Sequence, residues 1–284
     1  MERVEPSFGY YYYPNENKVE AMDKIAHYGL FSTFTLLLST ITLIHRDYKV
    51  LPEVFDLSKA MMKFKTDKSQ DLYKTLFKID RTIKIPNISA VGPDPHHTIY
   101  SEERIKGLYP YVKMFFGLSD ELIDLKNNLL KKYNLEGKDF ISVIYRGSDQ
   151  FTDRGGFISV NCSAYEKLAR CIISEIPIEE RNILIQSEEH RVLKYFGGQL
   201  GAKFITETDI GEIGRTDVPI PNAGVDEWLK NFIAAIFIHS QSKTLITYTG
   251  NSGFWAVLFR GTTNETYQES TFTLNRELFF KKNQ

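Results

Sequence analysis

An α/β fold built around a parallel, Rossmann-like sheet is predicted by two observations. The second half of the chain alternates apolar, β-prone runs with helix-like segments, and two of those runs stop abruptly in polar loops containing glycine. Strands that alternate with helices must cross over between neighbours, which makes the sheet parallel.

The expected strands lie at 140–145, 182–185, 203–205 and 244–247. Helices are expected after Ser163, from about Glu188, from Val225 and after Ser252. Ser163 and Glu166 have capping-box spacing, and Tyr165, Leu168, Ala169, Ile172 and Ile173 form an apolar stripe behind them.

In the first half, 7–13 reads as strand, Pro14-Asn-Glu-Asn17 breaks it, 21–45 is a long apolar segment, and 49–55 reads as strand again. This is a β-loop-α-β opening. Alternation along a strand puts two of the tyrosines Tyr10 to Tyr13 on each face, so they are expected to pack rather than to form a sugar platform. Three prolines between Ile85 and His97 mark a loop. Leu118, Leu122, Leu125 and Leu129 recur at helical spacing, and that helix closes at Asn134-Leu-Glu-Gly137. A domain boundary is placed within 110–138, dividing the chain into 1–135 and 136–284.

The chain has 284 residues, 42% hydrophobic, and 35 basic against 36 acidic residues give a net charge of -1. That balance argues against a nucleic-acid partner. Cys162 and Cys171 are too few for a disulfide framework and have no metal-knuckle spacing. The run 29–44 holds 16 residues, of which six are Ser or Thr, against the roughly 20 mostly apolar residues of a spanning helix. It is expected to be a buried first helix. The charged start Met1-Glu-Arg-Val-Glu5 does not resemble a signal peptide, so the expectation is an intracellular, soluble protein without a membrane span.

Two loops carry the functional candidates. The run Phe140-Ile-Ser-Val-Ile-Tyr-Arg-Gly-Ser-Asp149 ends in Arg146, whose fixed planar charge suits a phosphate, with Asp149 able to orient it. A structural Arg-Asp pair is the other reading. Thr249-Gly-Asn-Ser-Gly253 follows the strand at 244–247 and opens a helix, a natural anion cradle or a plain helix cap. Glu188, Glu189 and Asp226 begin helices, where they favour the N-terminal dipole or accept hydrogen bonds from a nucleotide. There is no D-x-D, no Cys-His cluster, no Walker A or G-x-G-x-x-G and no G-x-S-x-G, so neither a metal nor a nucleophile-elbow hydrolase is expected.

These pieces in this order resemble the fucosyltransferase superfamily of inverting GT-B enzymes. Ile144-Tyr-Arg-Gly-Ser-Asp149 aligns with its H-x-R-R-x-D signature on the arginine and the aspartate, Ile185-Gln-Ser-Glu-Glu189 with its strand and T-D-D, and Gly250-Asn-Ser-Gly-Phe-Trp255 with its N-S-x-F-S-W-W. His27-Tyr-Gly-Leu-Phe-Ser32 resembles its glycine-rich loop opening a long helix. Ile144 and Gly147 replace the signature histidine and second arginine, and Glu188 and Glu189 replace aspartates.

The resemblance implies two Rossmann-like domains with parallel sheets facing a cleft. The acceptor, a glycan or protein hydroxyl, lies on 1–135, and the nucleotide-sugar, GDP-fucose favoured, on 136–284. It implies a metal-independent transfer needing no further cofactor. Arg146, Thr249, Gly250, Asn251 and Ser252 would hold the diphosphate, and Glu188, Glu189 and Asp226 the nucleoside. Asp149 and Asp153 are the carboxylates that could act as base. A catalytically degenerate binder that keeps the fold is the alternative.

Overall fold

The computed structural model describes residues 3–86, 100–145, 169, 173–187, 203–204, 225–248 and 250–269. Its first half builds a four-stranded sheet from β1 (Val4–Ser7), β2 (Tyr10–Tyr13), β3 (Lys18–Ala21) and β4 (Val54–Asp56), in that order. The first three strands are antiparallel, and only β3 and β4 run parallel.

This sheet is therefore mixed, unlike the parallel sheet that the resemblance implies for residues 1–135. Short connections are the physical cause: Gly9 at φ 98° and Asn17 at φ 46° take left-handed backbone and turn the chain straight back. Strands joined so tightly can pair only antiparallel. The parallel pair β3–β4 has the long connection it needs, helix α1 (Leu30–Tyr48).

Tyr10 and Tyr12 are fully buried while Tyr11 and Tyr13 are half-buried, as alternation predicts. The Arg3 guanidinium lies 4.2 Å from the Tyr11 ring centre. The strand expected over 49–55 is confined to Val54–Asp56 because Lys49 ends α1 in a left-handed cap and Pro52 follows. In α1, the hydroxyls of Thr33, Thr35, Thr40 and Thr42 donate to carbonyls three or four residues back, at 2.8–3.1 Å. That pairing lets a Thr-rich helix be buried. No helix among the described residues is long and apolar enough to cross a membrane.

A short helix, α2 (Leu72–Leu76), leads into a two-stranded ribbon of β5 (Phe77–Lys78) and β6 (Gly117–Leu118). Helix α3 (Glu102–Phe115) has no clear sequence pattern because it carries Gly107 and an interior proline, Pro110. Ser101 caps it, its hydroxyl accepting from the Arg104 N–H at 3.3 Å. Helix α4 (Asp120–Lys132) holds Leu122, Leu125 and Leu129 of the expected Leu-spaced helix, while Leu118 falls on β6, and Asn134 and Gly137 take positive φ beyond its end.

Glu102 joins α3 to the end of the chain's second half. Its carboxylate accepts from the Thr262 hydroxyl at 3.0 Å, from the Thr263 hydroxyl at 2.7 Å and from the Thr263 N–H, and pairs with Lys106 at 3.1 Å. Burial alone would raise its pKa; the hydrogen bonds from Thr263, Lys106 and Thr262 outweigh that and draw it down to about 2. The folded pKa lies below the unfolded value of 4.5, so this stabilisation is present above 4.5 and disappears as pH falls towards 2. Glu102→Gln is expected to lower stability at pH 7 by about 1–2 kcal/mol and to flatten acid unfolding in that window, as measured by urea titration at several pH values.

The second half forms a five-stranded, wholly parallel sheet from β7 (Ile141–Tyr145), β8 (Ile183–Ser187), β9 (Lys203–Phe204), β10 (Thr244–Tyr248) and β11 (Thr266–Glu269). The α/β class with a parallel sheet is thus present. The helices expected after Ser163 and from Glu188 lie outside the described residues. Helices α5 (Val225–Ser240) and α6 (Asn251–Arg260) pack side by side; α4 packs on α5, while α1 and α3 pack on α6.

One continuous core results. At its centre the fully buried Trp255 ring meets Phe116 at 4.7 Å, Phe259 at 5.4 Å, Phe34 at 5.7 Å and Phe31 at 6.2 Å. Aromatic contacts of this kind add to the burial of the rings themselves.

Candidate functional site

The order of strands across the parallel sheet is β11-β10-β7-β8-β9. Counted in chain order this is the doubly wound arrangement 3-2-1-4-5, read from β9, and the order reverses between β7 and β10. In open parallel sheets ligands bind at the carboxyl ends of the strands where the order reverses, which makes the ends of β7 and β10 the candidate place.

The candidate residues follow these ends in sequence: Arg146 comes after β7, Glu188 and Glu189 after β8, and Thr249 after β10. Arg146, Asp149, Asp153, Glu188, Glu189 and Thr249 lie outside the described residues. So does the side chain of Asp226, whose backbone belongs to the first turn of α5. Gly250, Asn251 and Ser252 are described, and they form the turn from β10 into α6.

Gly250 caps α6 without a side-chain acceptor, and the first hydrogen bond of the helix runs from the Phe254 N–H to the Gly250 carbonyl at 2.8 Å. The N–H groups of 251–253 therefore precede the helical ladder, as at any helix N-terminus. Buried Tyr100 fills the crook of the turn. Its phenol stands 3.1 Å from both the Tyr248 and Gly250 carbonyls and accepts from the Gly250 N–H at 3.4 Å. Burial, the first influence, pushes its pKa upwards and keeps the phenol neutral.

Asn251 faces the first half of the chain. Its Nδ2 donates to the Ser32 hydroxyl at 2.8 Å, and its Oδ1 lies 3.0 Å from the Thr35 hydroxyl. Thr35 in turn accepts from the Trp255 indole N–H at 3.0 Å. The amide thus ties the N-terminal turns of α1 and α6 together, and it is engaged with protein rather than presented at the strand ends. Ser32, Thr35 and Tyr100 were not legible as site residues. The scattered Ser and Thr in the apolar run 29–44, and the segment 27–32 that ends on Ser32, are the sequence signals near this bracket, but neither pairs it with Asn251.

A second set of polar groups lies one row inside the carboxyl ends. Ile144 on β7 pairs with Gln186 on β8, and the register Val143–Ile246 brings Thr247 on β10 to the other side of Ile144. Partners in parallel register point to the same face, so Thr247, Ile144 and Gln186 form one cross-strand row. Gln186 is 2% exposed and Thr247 fully buried. Neither atom of the Gln186 amide, nor the Thr247 hydroxyl, has a hydrogen-bond partner among the described residues. A buried polar group left unpaired costs about 1–3 kcal/mol.

The same face carries Ser142 two residues earlier, hydrogen-bonded to Nδ1 of fully buried His239 on α5. The other ring nitrogen, Nε2, is unpaired among the described residues. Burial pushes the His239 pKa down to about 3, so the ring is neutral at physiological pH.

Among the described residues no group of three or more His, Cys, Asp or Glu is arranged to hold a metal ion. No protein-family model matches the chain, and a search of curated proteins finds no significant match.

Proposed function

We propose that this chain is a metal-independent, inverting glycosyltransferase of the fucosyltransferase kind. It transfers a sugar from a nucleotide-sugar, GDP-fucose favoured, to a hydroxyl of a glycan or protein. The observation that carries the reading is the reversal of strand order between β7 and β10. The two segments singled out in the sequence, Arg146 onward and Thr249 to Gly253, leave the sheet from these neighbouring strands. Open parallel sheets bind their ligands at such reversals.

In the reaction the acceptor oxygen attacks the anomeric carbon as its bond to the diphosphate breaks, inverting the centre in one displacement. Negative charge grows on the departing nucleoside diphosphate, and the Arg146 guanidinium with the N–H groups at the start of α6 stabilises it. Preorganised donors of this kind contribute several kcal/mol, and removing one lowers the rate on the order of 100-fold or more. The acceptor proton passes to Asp149 or Asp153. The first half, packed on α6 through α1 and α3, supplies the acceptor side of a two-domain GT-B arrangement.

A non-catalytic nucleotide-sugar binder is the second reading, favoured by Asn251, whose amide is occupied by α1, and by Ile144, an apolar core residue 3% exposed. The test is thermal stabilisation by GDP, UDP, ADP and CMP without metal, repeated on Arg146→Ala and followed by assay of donor hydrolysis. A GDP-selective shift, worth about 2.7 kcal/mol at 100 times Kd, is expected in the wild type and its loss in the variant. Binding without hydrolysis or transfer would favour the non-catalytic reading. No shift with any nucleotide would reject both.

A further inference from the structure

We propose that Phe8 and Tyr28 form a stacking platform for a neutral saccharide, so that the acceptor is a glycan rather than a protein side chain. Only in calling that sugar an acceptor does the inference rest on the functional reading above.

Both rings stand in solvent, Phe8 49% and Tyr28 37% exposed, whereas Tyr10 and Tyr12 of the neighbouring strand are packed in the core. They come from different segments, Phe8 from the turn between β1 and β2 and Tyr28 from the residues leading into α1. Their centres lie 5.9 Å apart with planes 21° from parallel, so the two faces look in nearly the same direction. One buried residue, Ile25, seats both. Gly9 beside Phe8 turns at φ 98° directly against the Ile25 side chain, where a Cβ would clash, and the Tyr28 N–H donates to the Ile25 carbonyl at 3.1 Å. A platform fixed before binding loses little freedom when it is occupied.

Size and charge choose the occupant. The exposed parts of the two rings offer about 200 Å², against the roughly 800 Å² that each partner contributes to a stable protein interface. A hexopyranose matches that area. The C–H groups gathered on one face of a glucose- or galactose-type ring are slightly positive, and the face of an aromatic ring is negative. Lys24 stands 4.2 Å from the Phe8 ring centre and is paired with the Glu5 carboxylate. The rim therefore supplies a donor and an acceptor for sugar hydroxyls, while its cation is already neutralised and does not call for an anionic sugar.

Position suits an acceptor. Tyr28 directly precedes Gly29, the N-cap of α1, and Ser32 in the first turn of α1 holds Asn251 at the start of α6. The platform thus belongs to the end of α1 that meets the turn leaving β10.

The test is saturation-transfer NMR on the full chain without nucleotide, with chitotriose and N-acetyllactosamine as probes. Wild type is expected to transfer saturation to the ring C–H protons of at least one probe. Tyr28→Leu and Phe8→Leu should each weaken that binding about tenfold, Tyr28→Phe should keep it, and all three should unfold at the wild-type urea concentration because the rings are exposed. Transfer to neither probe overturns the proposal. So does binding that survives both leucine substitutions, which keep apolar bulk and remove the aromatic face. A wild-type dimer that Phe8→Ser with Tyr28→Ser dissociates in sedimentation would assign the rings to self-association and overturn it as well. Sugar binding in a protein that ignores GDP would keep the platform and reject the transferase reading; GDP binding without sugar binding would remove this inference alone.

Discussion

Gly253→Ala is expected to destabilise the protein by about 2–3 kcal/mol even though alanine is the better helix former. Gly253 lies in the first turn of α6, where the helix presses against the end of β10. A Cβ there would stand 2.6 Å from the Tyr248 carbonyl oxygen and closer still to the Thr247 hydroxyl. The carbonyl is backbone inside a sheet and cannot swing aside, so the helix itself must lift. Lifting it strains the Asn251–Ser32 bracket and the Tyr100 plug together.

The helix-propensity gain opposing this is about 1 kcal/mol. Gly107 in α3 gives the control, since a Cβ there meets nothing within 4 Å. Gly107→Ala should therefore stabilise by up to about 1 kcal/mol. Urea unfolding of the two variants checks both signs; a Gly253→Ala protein as stable as wild type would mean that α6 is not seated so closely on β10.

The second large effect is expected with pH. Stability should fall by about 2 kcal/mol between pH 7 and pH 5 through His239 alone. Burial pushes its folded pKa down to about 3 from the ordinary 6.5. Below 6.5 the unfolded chain takes up a proton that the folded chain refuses, so stability declines by about 1.4 kcal/mol per pH unit until the folded pKa is approached. His45, lowered by burial and then by Lys49, acts in the same direction, so the comparison must be between variants. Glu102 responds only below 4.5 and stays out of this window.

Replacing the polar pair by an apolar one, His239→Leu with Ser142→Ala, should remove most of the slope. Denaturant titrations at pH 7 and pH 5 measure it. A slope unchanged from wild type would show that the imidazole takes up its proton in the folded state.

Wherever structure depends on near neighbours, it was legible. Four of the five parallel strands of the second half show as apolar runs, whereas β11, Thr266-Tyr-Gln-Glu269, is too polar to stand out, and Tyr10 to Tyr13 alternate in burial as a strand's geometry requires. The Leu-spaced helix α4 begins at a serine cap, Ser119. Failures of the reading also have local causes. Pro110 and Gly107 hide α3, and the left-handed residues Gly9 and Asn17 turn the opening strands back on themselves.

The candidate site was legible as two strand ends, but not as a place. That β7 and β10 are neighbours, that Tyr100 plugs a turn 150 residues away, and that Asn251 binds Ser32 across 219 residues depend on strand pairing and packing. Burial of Gln186, whose amide has no partner among the described residues, likewise shows only in the folded sheet. The sequence by itself determined the elements with a strong local pattern, α1, α4 and the apolar strands, because backbone propensity and apolar periodicity act over a few residues. Tertiary structure alone decided strand order and which polar groups meet across the core, because both depend on contacts between residues far apart in the chain.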